Sequence, residues 1–269
     1  MSANDTQDFV GKIEQGIAWA VMNRPESLNA FSFAIRDEMV RFFKQVEFNP
    51  EVRCVVLHGA GGNFMAGGDI KAFTSHMALP PNERRAMFEE ICHAMHPIIY
   101  SMRRLRQPVL ASVAGACAGL GMSLVLASDL AIAADNAFFT LAYIKIGTTP
   151  DGGASFFLPR SVGLKRAMEI AMLSDRMDAQ TVERYGIINR VVPAGELEAE
   201  TRALARRLAD GPPEALARTK QLLSGALSHT LEQHLQLEGL SFAACTLTDD
   251  MLEGVRAFLE KRRPKFSGR

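Results

Sequence analysis

Two glycine-rich turns are the first features of this sequence that could do chemistry. They read Ala66-Gly67-Gly68-Asp69 and Gly119-Leu120-Gly121, and each follows a run typical of a buried strand. One interpretation is structural, since glycine by itself permits tight turns and close packing. The other is that two backbone N–H groups converge on one oxygen, the second at the positive end of a helix beginning near Gly121. Such a pair would stabilise negative charge developing on a carbonyl oxygen.

Groups that could move a proton are fewer. Asp151 lies in Pro150-Asp151-Gly152-Gly153, a sequence well suited to a turn or a helix N-cap. His93 and His96 follow Glu90 at a spacing that metal ligands can have, but the partner motif is missing, so no metal site is predicted. The sequence also lacks the usual serine-hydrolase, zinc-protease and phosphate-loop signatures.

The composition predicts a folded protein of a reducing compartment. Of its 269 residues, 48% are apolar and 22% charged, enough for one large core with an appended subdomain. The 30 basic residues balance the 30 acidic ones, which argues against a nucleic-acid partner held by a broad basic surface. The four cysteines are scattered without a CxxC pair, which is typical of reduced thiols in a cytoplasmic protein.

Apolar spacing predicts strands that alternate with helices. Runs around Ile13 and over residues 17–22 flank Gln15-Gly16 and predict a hairpin. Residues 52–59 read as a buried strand. Ser32 is placed to cap a helix that ends near Asn49-Pro50 and carries five apolar residues at helical spacing (Ile35, Met39, Phe42, Phe43 and Val46). This alternation favours an α/β core with parallel strand pairing.

The middle and the end of the chain predict two further features. Residues 109–128 carry no charge and imitate a membrane span, but their β-type start and their glycines predict a buried strand, a tight turn and a buried helix. From Leu197 onward strand signals vanish. We therefore predict a core domain over 1–196 and a helical subdomain over 197–269, whose apolar residues could pack on the core or on another subunit (Leu231, Leu235, Leu240 and Phe242).

Four segments resemble motifs of the crotonase superfamily, the enoyl-CoA hydratase/isomerase family, in the family's order and spacing. Residues 23–30 are similar to its NRPxxLNA turn and residues 64–71 to its FxAGxDxK loop. Residues 108–129 are similar to its PVxAxxxGxxxGxG…D strand and helix, and residues 258–262 to its C-terminal FxEKR. The resemblance implies a ββα spiral core, a helical tail that forms trimers or dimers of trimers, and an acyl-CoA thioester as ligand.

The resemblance also implies roles for particular residues. The amides of Gly68 and Leu120 would form the oxyanion hole. Phe258 and Lys261, from a neighbouring subunit, would approach the coenzyme A phosphates. Contacts to adenine and pantetheine would fall on five residues of the first half (Ser27, Leu28, Ala66, Asp69 and Ile70). Because coenzyme A is part of the substrate, no separate cofactor is implied.

The acid–base residues set this chain apart from the family's hydratases. Hydratases of the family use two glutamates to activate one water, and the matching positions here are Ser123 and Tyr143, neither of which is an acid near neutral pH. Residues 146–160 instead resemble the isomerase-like branch, which includes the ring-opened epoxyphenylacetyl-CoA isomerases. In that branch the acid matching Asp151 shuttles a proton between two carbons of the acyl chain. We therefore predict an enoyl-CoA isomerase with Asp151 as the shuttle.

Three alternatives remain. The first is a hydratase with altered acid–base residues. The second is chemistry like that of 4-chlorobenzoyl-CoA dehalogenase, in which the acid matching Asp151 is a nucleophile assisted by residues matching His96 and Tyr143. The third is a non-catalytic relative that binds RNA or acts as a scaffold. His96, Ser123 and Tyr143 are predicted to line the substrate pocket, and residues 73–104 together with the tail helices to form an apolar acyl wall.

Overall fold

Six strands form the main sheet of the protein. The computed structural model describes residues 7–269, so the first six residues of the predicted core domain lie outside the described part. The strands, in their order across the sheet, are β1 (Phe9–Glu14), β2 (Ile17–Met22), β3 (Cys54–Gly59), β4 (Val109–Val113), β6 (Leu130–Ala134) and β9 (Arg190–Val192). Strands β1 and β2 are antiparallel, and each further pair is parallel. The predicted hairpin and the parallel core are confirmed.

Three further strands form a second sheet. They are β5 (Ala116–Ala118), β7 (Phe138–Thr140) and β8 (Met177–Asp178), with β5 parallel to β7 and β7 antiparallel to β8. Two isolated parallel bridges extend this layer, one joining Met65 to Cys117 and one joining Phe31 to Gly68. Successive turns of the chain thus add a strand to the main sheet and a segment to the second layer, which is the predicted ββα spiral.

Helices connect these strands and cover the sheets. Within residues 7–269 they are α1 (Phe33–Glu47), α2 (Ile70–Met77), α3 (Pro81–Arg104), α4 (Leu120–Ala127), α5 (Ala154–Val162), α6 (Leu164–Leu173), α7 (Ala179–Arg184), α8 (Leu197–Ala209), α9 (Pro213–Gly225), α10 (Leu231–Cys245) and α11 (Asp249–Leu259). Short 3₁₀ turns lie at Pro25–Ser27, Ala60–Gly62, Tyr143–Ile146 and Ala194–Glu196. The last four α-helices make up most of the chain from Leu197 onward.

The apolar core occupies both faces of the main sheet. Along β2, Ala18, Ala20 and Met22 belong to the larger core, which contains side chains of α1, α3 and α4. Ile17 and Trp19, which alternate with them, belong to a smaller core that includes side chains of α8. Successive side chains of a strand point to opposite faces, so a sheet covered on both faces needs strands that are apolar throughout. The strand runs in the sequence have this character.

Helix α1 begins and ends where the sequence predicts. The Ser32 hydroxyl accepts a hydrogen bond from the Ile35 amide at 3.2 Å, which caps the helix. The five apolar residues predicted to share one face are all buried, and the helix ends at Glu47, shortly before Asn49-Pro50. The helix is thus fixed by its cap and by its apolar face together.

The uncharged stretch over residues 109–128 forms β4, β5 and α4. The predicted strand and helix are confirmed, but the segment between them also contains the short strand β5, where a turn alone was predicted. This strand is three residues long and pairs with β7, a partner distant in sequence, so local patterning does not reveal it. No helix in residues 7–269 is long and apolar enough to cross a membrane.

The C-terminal helices differ in how they meet the core. Helix α8 packs on the sheet through Leu197, Ala205 and Ala209. Helix α10 instead leaves its apolar side chains exposed in the single chain (Leu231 68%, Leu235 55%, Leu240 57% and Phe242 74% exposed). Of the two packing partners proposed for these residues, the core of the same chain is therefore excluded. The boundary between residues 196 and 197 stays a prediction.

A buried lysine attaches α9 to the core. The Lys220 ammonium donates to the carbonyl oxygens of Met102 and Gln107 at 2.8 and 3.0 Å, and it lies 2.7 Å from a carboxylate oxygen of Asp129. That carboxylate also accepts from the Val109 amide, at the start of β4. Since Lys220 is only 8% exposed, these partners stabilise its positive charge where water cannot.

Candidate active site

The two glycine-rich turns lie side by side in the second layer. Met65 donates its amide to the carbonyl of Ala116 and accepts from the amide of Ala118, so the first turn runs alongside β5. A Cβ added to Gly119 would lie 3.4 Å from the Cα of Gly67. A Cβ added to Gly121 would lie 2.5 Å from the Met65 carbonyl oxygen. Glycine therefore lets the second turn and the start of α4 approach the first turn closely.

The first turn directs the Gly68 amide toward the second. The amides of Ala66 and Asp69 both donate to carbonyls of residues 28–31. A regular strand would alternate these directions, but Gly67 has φ +101°, which reverses the alternation between them. Phe31 bridges Gly68 through the two neighbouring peptide groups, so the Gly68 N–H points away from residues 28–31 and toward the side where β5 lies.

The second amide is at the beginning of a helix. Leu120 is the first residue of α4, so its N–H has no acceptor within the helix. Neither the Gly68 nor the Leu120 amide donates to an acceptor within residues 7–269. The partial positive charge of the helix start adds to the Leu120 donor. The arrangement suits a developing oxyanion, and the joint role of the two amides stays a prediction.

Asp151 faces two hydroxyl groups. The Tyr143 hydroxyl donates to Asp151 Oδ1 at 2.5 Å. The Ser123 hydroxyl lies 3.1 Å from the Tyr143 oxygen and 3.0 Å from the Asp151 carbonyl oxygen. Ser123 is fully buried and Tyr143 is 9% exposed. Because Ser123 belongs to the first turn of α4, this cluster joins Asp151 to the helix that begins at Leu120.

The carboxylate of Asp151 is not a helix cap. Helix α5 begins at Ala154, its N-cap is Gly153, and no side chain accepts a hydrogen bond there. The Ala154 amide does bond to Asp151, but to its carbonyl oxygen. The turn interpretation thus accounts for the backbone of Asp151, while its side chain remains available for chemistry.

The surroundings of Asp151 favour a proton carrier. Burial raises the pKa of the Asp151 carboxyl, whereas the Tyr143 hydrogen bond and the His96 charge lower this pKa, and the net change is upward. Burial, and then the charge of Asp151, raise the pKa of Tyr143 far above its ordinary value. Tyr143 therefore stays protonated and donates, while the pKa of Asp151 moves toward the range in which a general base is most effective.

The loop that carries Asp151 is fitted tightly to α4. Gly152 has φ +57°, and a Cβ there would lie 2.7 Å from Leu120 Cδ1 and 3.0 Å from Ser123 Cβ. Gly153 has φ +81°, and a Cβ there would lie 2.7 Å from the Phe157 ring. The glycines that make this stretch look like a turn thus also permit the close contact between the Asp151 loop and the side chains of Leu120 and Ser123.

Helices α2 and α3 cover the oxyanion turns. A Cβ at Gly68 would lie 3.3 Å from the Phe73 ring, and Phe73 packs edge-on against Phe88 with ring centroids 5.1 Å apart. On α3, Cys92 and His96 come close enough to Asp151 to interact with its charge. Phe73 and Phe88 of the predicted acyl wall therefore lie near Gly68, and their contact with an acyl chain stays a prediction.

The predicted coenzyme A residues of the first half lie around the first turn. The Ala66 amide donates to the Leu28 carbonyl at 3.0 Å, and the side chains of Leu28 and Ile70 are 46% and 49% exposed. Ser27 donates through its hydroxyl to a neighbouring carbonyl. Asp69 caps α2 through its carboxylate, and its amide donates to the Phe31 carbonyl at 3.2 Å. These contacts to coenzyme A stay predictions.

Phe258 and Lys261 lie apart from this group, at the end of α11 and just beyond it. Phe258 is 84% exposed, and Lys261 is exposed with φ +54°. The single chain does not bring them to the first-half residues by hydrogen bond or ion pair within residues 7–269. Their predicted role therefore depends on a neighbouring subunit.

Asn29 and Arg24 hold the first turn in place, and the sequence motifs assign neither of them a role. Asn29 is fully buried and has φ +56°; its side chain donates to the carbonyls of Ala60 and Asn63 and accepts from the Arg24 amide. Arg24 forms an ion pair with Asp69 at 3.1 Å. Both residues belong to the turn over residues 23–30 that carries the family resemblance. The polar side chains of Arg24 and Asn29 inside that turn were the sequence signal that could have identified both residues.

Comparisons with known proteins agree with this geometry. A family model described as Enoyl-CoA hydratase/isomerase matches residues 12–269. The chain is 35% identical over 261 residues to the 1,2-epoxyphenylacetyl-CoA isomerase of Escherichia coli K12, covering 97% of this chain and 98% of that protein. It is 37% identical over 258 residues to a "Probable enoyl-CoA hydratase" of Rhodobacter capsulatus, covering 96% and 97%. The crystal structure of an enoyl-CoA hydratase from Polaromonas sp. JS666 matches with a TM-score of 0.90 at 34% identity, covering 96% of this chain and 99% of that one.

The fold is the one shared by enoyl-CoA hydratases and isomerases. The chain belongs to the enoyl-CoA hydratase/isomerase family, as the sequence resemblance predicts. The names of its relatives include both an isomerase and a hydratase. The choice between these activities therefore rests on the acid–base side chains of this chain.

Proposed function

We propose that the protein is an enoyl-CoA isomerase that moves a double bond along the acyl chain of a coenzyme A thioester. Gly68 and Leu120 bind the thioester oxygen through their amides, and Asp151 carries the proton. For a β,γ-unsaturated acyl group, Asp151 takes a proton from the α-carbon, and the electron pair delocalises onto the thioester oxygen as a dienolate. The proton then returns to the γ-carbon, which leaves an α,β double bond and restores the Asp151 carboxylate.

The oxyanion amides make this proton transfer feasible. A thioester α-proton is too weakly acidic for a carboxylate unless the enolate charge is stabilised. One preorganised donor contributes roughly 3 kcal/mol in such transition states. Backbone donors fixed by Gly67 and by the start of α4 need no rearrangement as the charge develops.

The observation that carries the proposal is the engagement of Ser123 and Tyr143 with Asp151. These two residues take the positions of the hydratase glutamates, and both hydrogen-bond to Asp151. One carboxylate is enough for isomerisation, since the same group removes and returns the proton. Hydration by two acids would need a second carboxylate, and the cluster of Ser123, Tyr143 and Asp151 contains only one.

Replacing Asp151 by asparagine tests the proposal. We expect Asp151→Asn to slow conversion of trans-3-hexenoyl-CoA to the conjugated isomer by roughly 10²- to 10⁴-fold, the usual contribution of a general base. Binding of the thioester should change only a few-fold, because the amides remain. Asp175→Asn, at an exposed aspartate, is the matched control. Isomerisation by Asp151→Asn at the control rate would refute the assignment.

The hydratase alternative is tested on the same protein. With crotonyl-CoA in isotopically labelled water, an isomerase should exchange solvent hydrogen or move the double bond without forming 3-hydroxyacyl-CoA. Formation of 3-hydroxyacyl-CoA that carries solvent oxygen would favour the hydratase.

Dehalogenase-like hydrolysis is a second candidate because both residues that match its assisting groups interact with Asp151. The charge of His96 lowers the pKa of Asp151, and the Tyr143 hydroxyl donates a hydrogen bond to its carboxylate. In that reaction the Asp151 carboxylate displaces a halide from an aromatic ring carbon, and water then hydrolyses the aryl ester. Release of chloride from 4-chlorobenzoyl-CoA would support it. Its absence, together with isomerase turnover, would favour the first proposal.

The assembly and location of the protein are also proposals. The exposed apolar side chains of α10 support a homotrimer or a dimer of trimers, since a surplus apolar face marks a subunit contact. A subunit placed there would be needed to bring Phe258 and Lys261 to coenzyme A. Cytoplasmic location is supported by the scattered free cysteines.

A further inference from the structure

We infer that Tyr143, held by Ser123, is a positioning residue that fixes which oxygen of Asp151 carries the proton. The inference rests on the proposed isomerase function and extends it. It changes the predicted role of both hydroxyl residues, which were expected to line the substrate pocket. In this role they act on the substrate only through Asp151.

The protons of the cluster have limited placements. The Tyr143 hydroxyl has one proton, and at 2.5 Å from Asp151 Oδ1 this proton lies in the contact with the carboxylate. The Ser123 hydroxyl faces the Tyr143 oxygen at 3.1 Å and the Asp151 carbonyl at 3.0 Å. A carbonyl only accepts, and the Tyr143 proton is already used, so the single Ser123 proton serves both contacts as a three-centre hydrogen bond. The chain of donors therefore runs from Ser123 through Tyr143 to Asp151.

This order assigns different roles to the two carboxylate oxygens. The Tyr143 hydrogen bond occupies one of the two lone pairs of Oδ1 and makes this oxygen the less basic of the two. The substrate proton therefore binds preferentially to Oδ2, and the same oxygen then returns it. A carboxyl group that turned over during the reaction would break the short contact with Tyr143. We call the pair of hydrogen bonds from Ser123 to Tyr143 and from Tyr143 to Asp151 the clamp. The clamp thus keeps the same oxygen of Asp151 beside the substrate during both proton transfers.

The groups around the clamp cannot easily move. Ser123 is fully buried in the first turns of α4, and it also lies 3.4 Å from the Gly119 carbonyl. Tyr143 follows Ala142, a non-glycine residue with φ +59°, at the start of a 3₁₀ turn. Gly152 fits against Leu120 and Ser123 without room for a Cβ. The clamp and the oxyanion donor are therefore built on the same helix end.

Three titratable groups act on the Asp151 carboxyl. Tyr143 precedes it in the chain, whereas His96 and Cys92 face it from α3. The Tyr143 hydrogen bond favours the ionised carboxylate, so it lowers the pKa of Asp151 against the effect of burial. Loss of this donor alone should raise the pKa of Asp151, while His96 and Cys92 remain in place.

The test is the pH dependence of kcat/KM for the isomerisation. In the wild type, kcat/KM should fall at low pH as Asp151 becomes protonated. Tyr143→Phe keeps the ring and removes the donor, so we expect this acidic limb to move to higher pH. At a pH low enough for Asp151 to be mostly protonated, kcat/KM of Tyr143→Phe should be roughly 10- to 100-fold lower than that of the wild type. This is the usual effect of losing a hydrogen bond to a charged group. Tyr185→Phe, at a tyrosine outside the site, is the matched control and should overlay the wild type.

Ser123→Ala supplies a second variant. It leaves Tyr143 in place but removes the group that holds its oxygen, so the limb should move in the same direction by less. A purely structural role would lower kcat at every pH without moving the limb. Limbs in Tyr143→Phe and Ser123→Ala that coincide with the wild type would overturn the inference.

Asp151→Asn separates the inference from the proposed function. If Asp151→Asn is inactive and the limbs do not move, the clamp is wrong while the proton shuttle stands. If Asp151→Asn retains turnover, the proposed function itself is wrong. Circular dichroism and melting curves of each variant show that the comparison is made on folded protein.

Discussion

The contact between the Asp151 loop and α4 can be perturbed by one methyl group at Gly152. An added Cβ would lie 2.7 Å from Leu120 Cδ1, 3.0 Å from Ser123 Cβ and 3.4 Å from Ser123 Oγ. The Leu120 methyl ends a side chain and can rotate away. Ser123 Cβ is fixed to the helix backbone, so the loop itself must shift. Gly152→Ala should therefore displace Asp151 from Tyr143 and from Ser123.

The expected size follows from two contributions. The left-handed backbone at Gly152, with φ +57°, disfavours alanine by about 1–2 kcal/mol. The contacts with α4 add about 1–2 kcal/mol, the lower part of the range for overpacking, because the leucine can yield. Gly147→Ala isolates the first contribution, since Gly147 has φ +74° and no atom within 4 Å of its added Cβ.

The assay compares both variants in stability and in turnover. For a chain of this size each kcal/mol lowers the melting temperature by about 2–4 °C, so Gly152→Ala should melt about 2–8 °C below Gly147→Ala. Isomerase turnover should fall in Gly152→Ala and stay near the wild type in Gly147→Ala. Equal melting temperatures and equal turnover in the two variants would refute the positioning of Asp151 by this contact.

Two further predictions concern buried charge. Lys220→Met should lower the free energy of unfolding by about 3 kcal/mol, because Asp129 loses a buried partner; urea unfolding measures the change, and an equal loss in the exposed-site variant Lys44→Met would contradict it. Asp151→Asn should raise the melting temperature at neutral pH. Burial raises the pKa of Asp151 in the folded protein above the unfolded value of 3.8, so the folded chain keeps this proton to a higher pH than the unfolded chain does. The free energy of unfolding of the wild type therefore falls as the pH rises through the raised pKa. The gain in Asp151→Asn should shrink toward pH 3.8, and a gain independent of pH would exclude this cause.

The elements predicted from sequence are those that local patterning determines. The hairpin follows from apolar runs on either side of Gln15-Gly16, and α1 from a capping serine with an apolar face. Strand β5 escaped prediction because three small residues gain their structure from pairing with β7. Long-range pairing of a short segment leaves no periodicity in the sequence.

The site was predictable to a similar extent. The turns with Gly68 and Leu120 were found by composition, because close backbone approach requires glycine around them. The resemblance placed Ser123 and Tyr143 in the site but not in contact with Asp151. That contact depends on α4 and on two successive positive φ angles at Gly152 and Gly153, and no motif states the direction that the chain then takes. The buried charge of Lys220 was missed because a lysine in a helical tail reads as solvent-exposed.

The Tyr143 contact bears directly on the choice between hydration and isomerisation. A hydratase must hold a water between two acids, each at hydrogen-bond distance from it. Here the tyrosine oxygen and Asp151 Oδ1 are 2.5 Å apart, so no water fits between them. The Ser123 hydroxyl fills the next position in the same chain of contacts. A cluster that excludes water on this side and leaves one carboxylate oxygen free suits the return of a single proton, as the proposed isomerase function requires. Under the proposed function, the product should differ from the substrate in the position of its double bond and contain no oxygen from water.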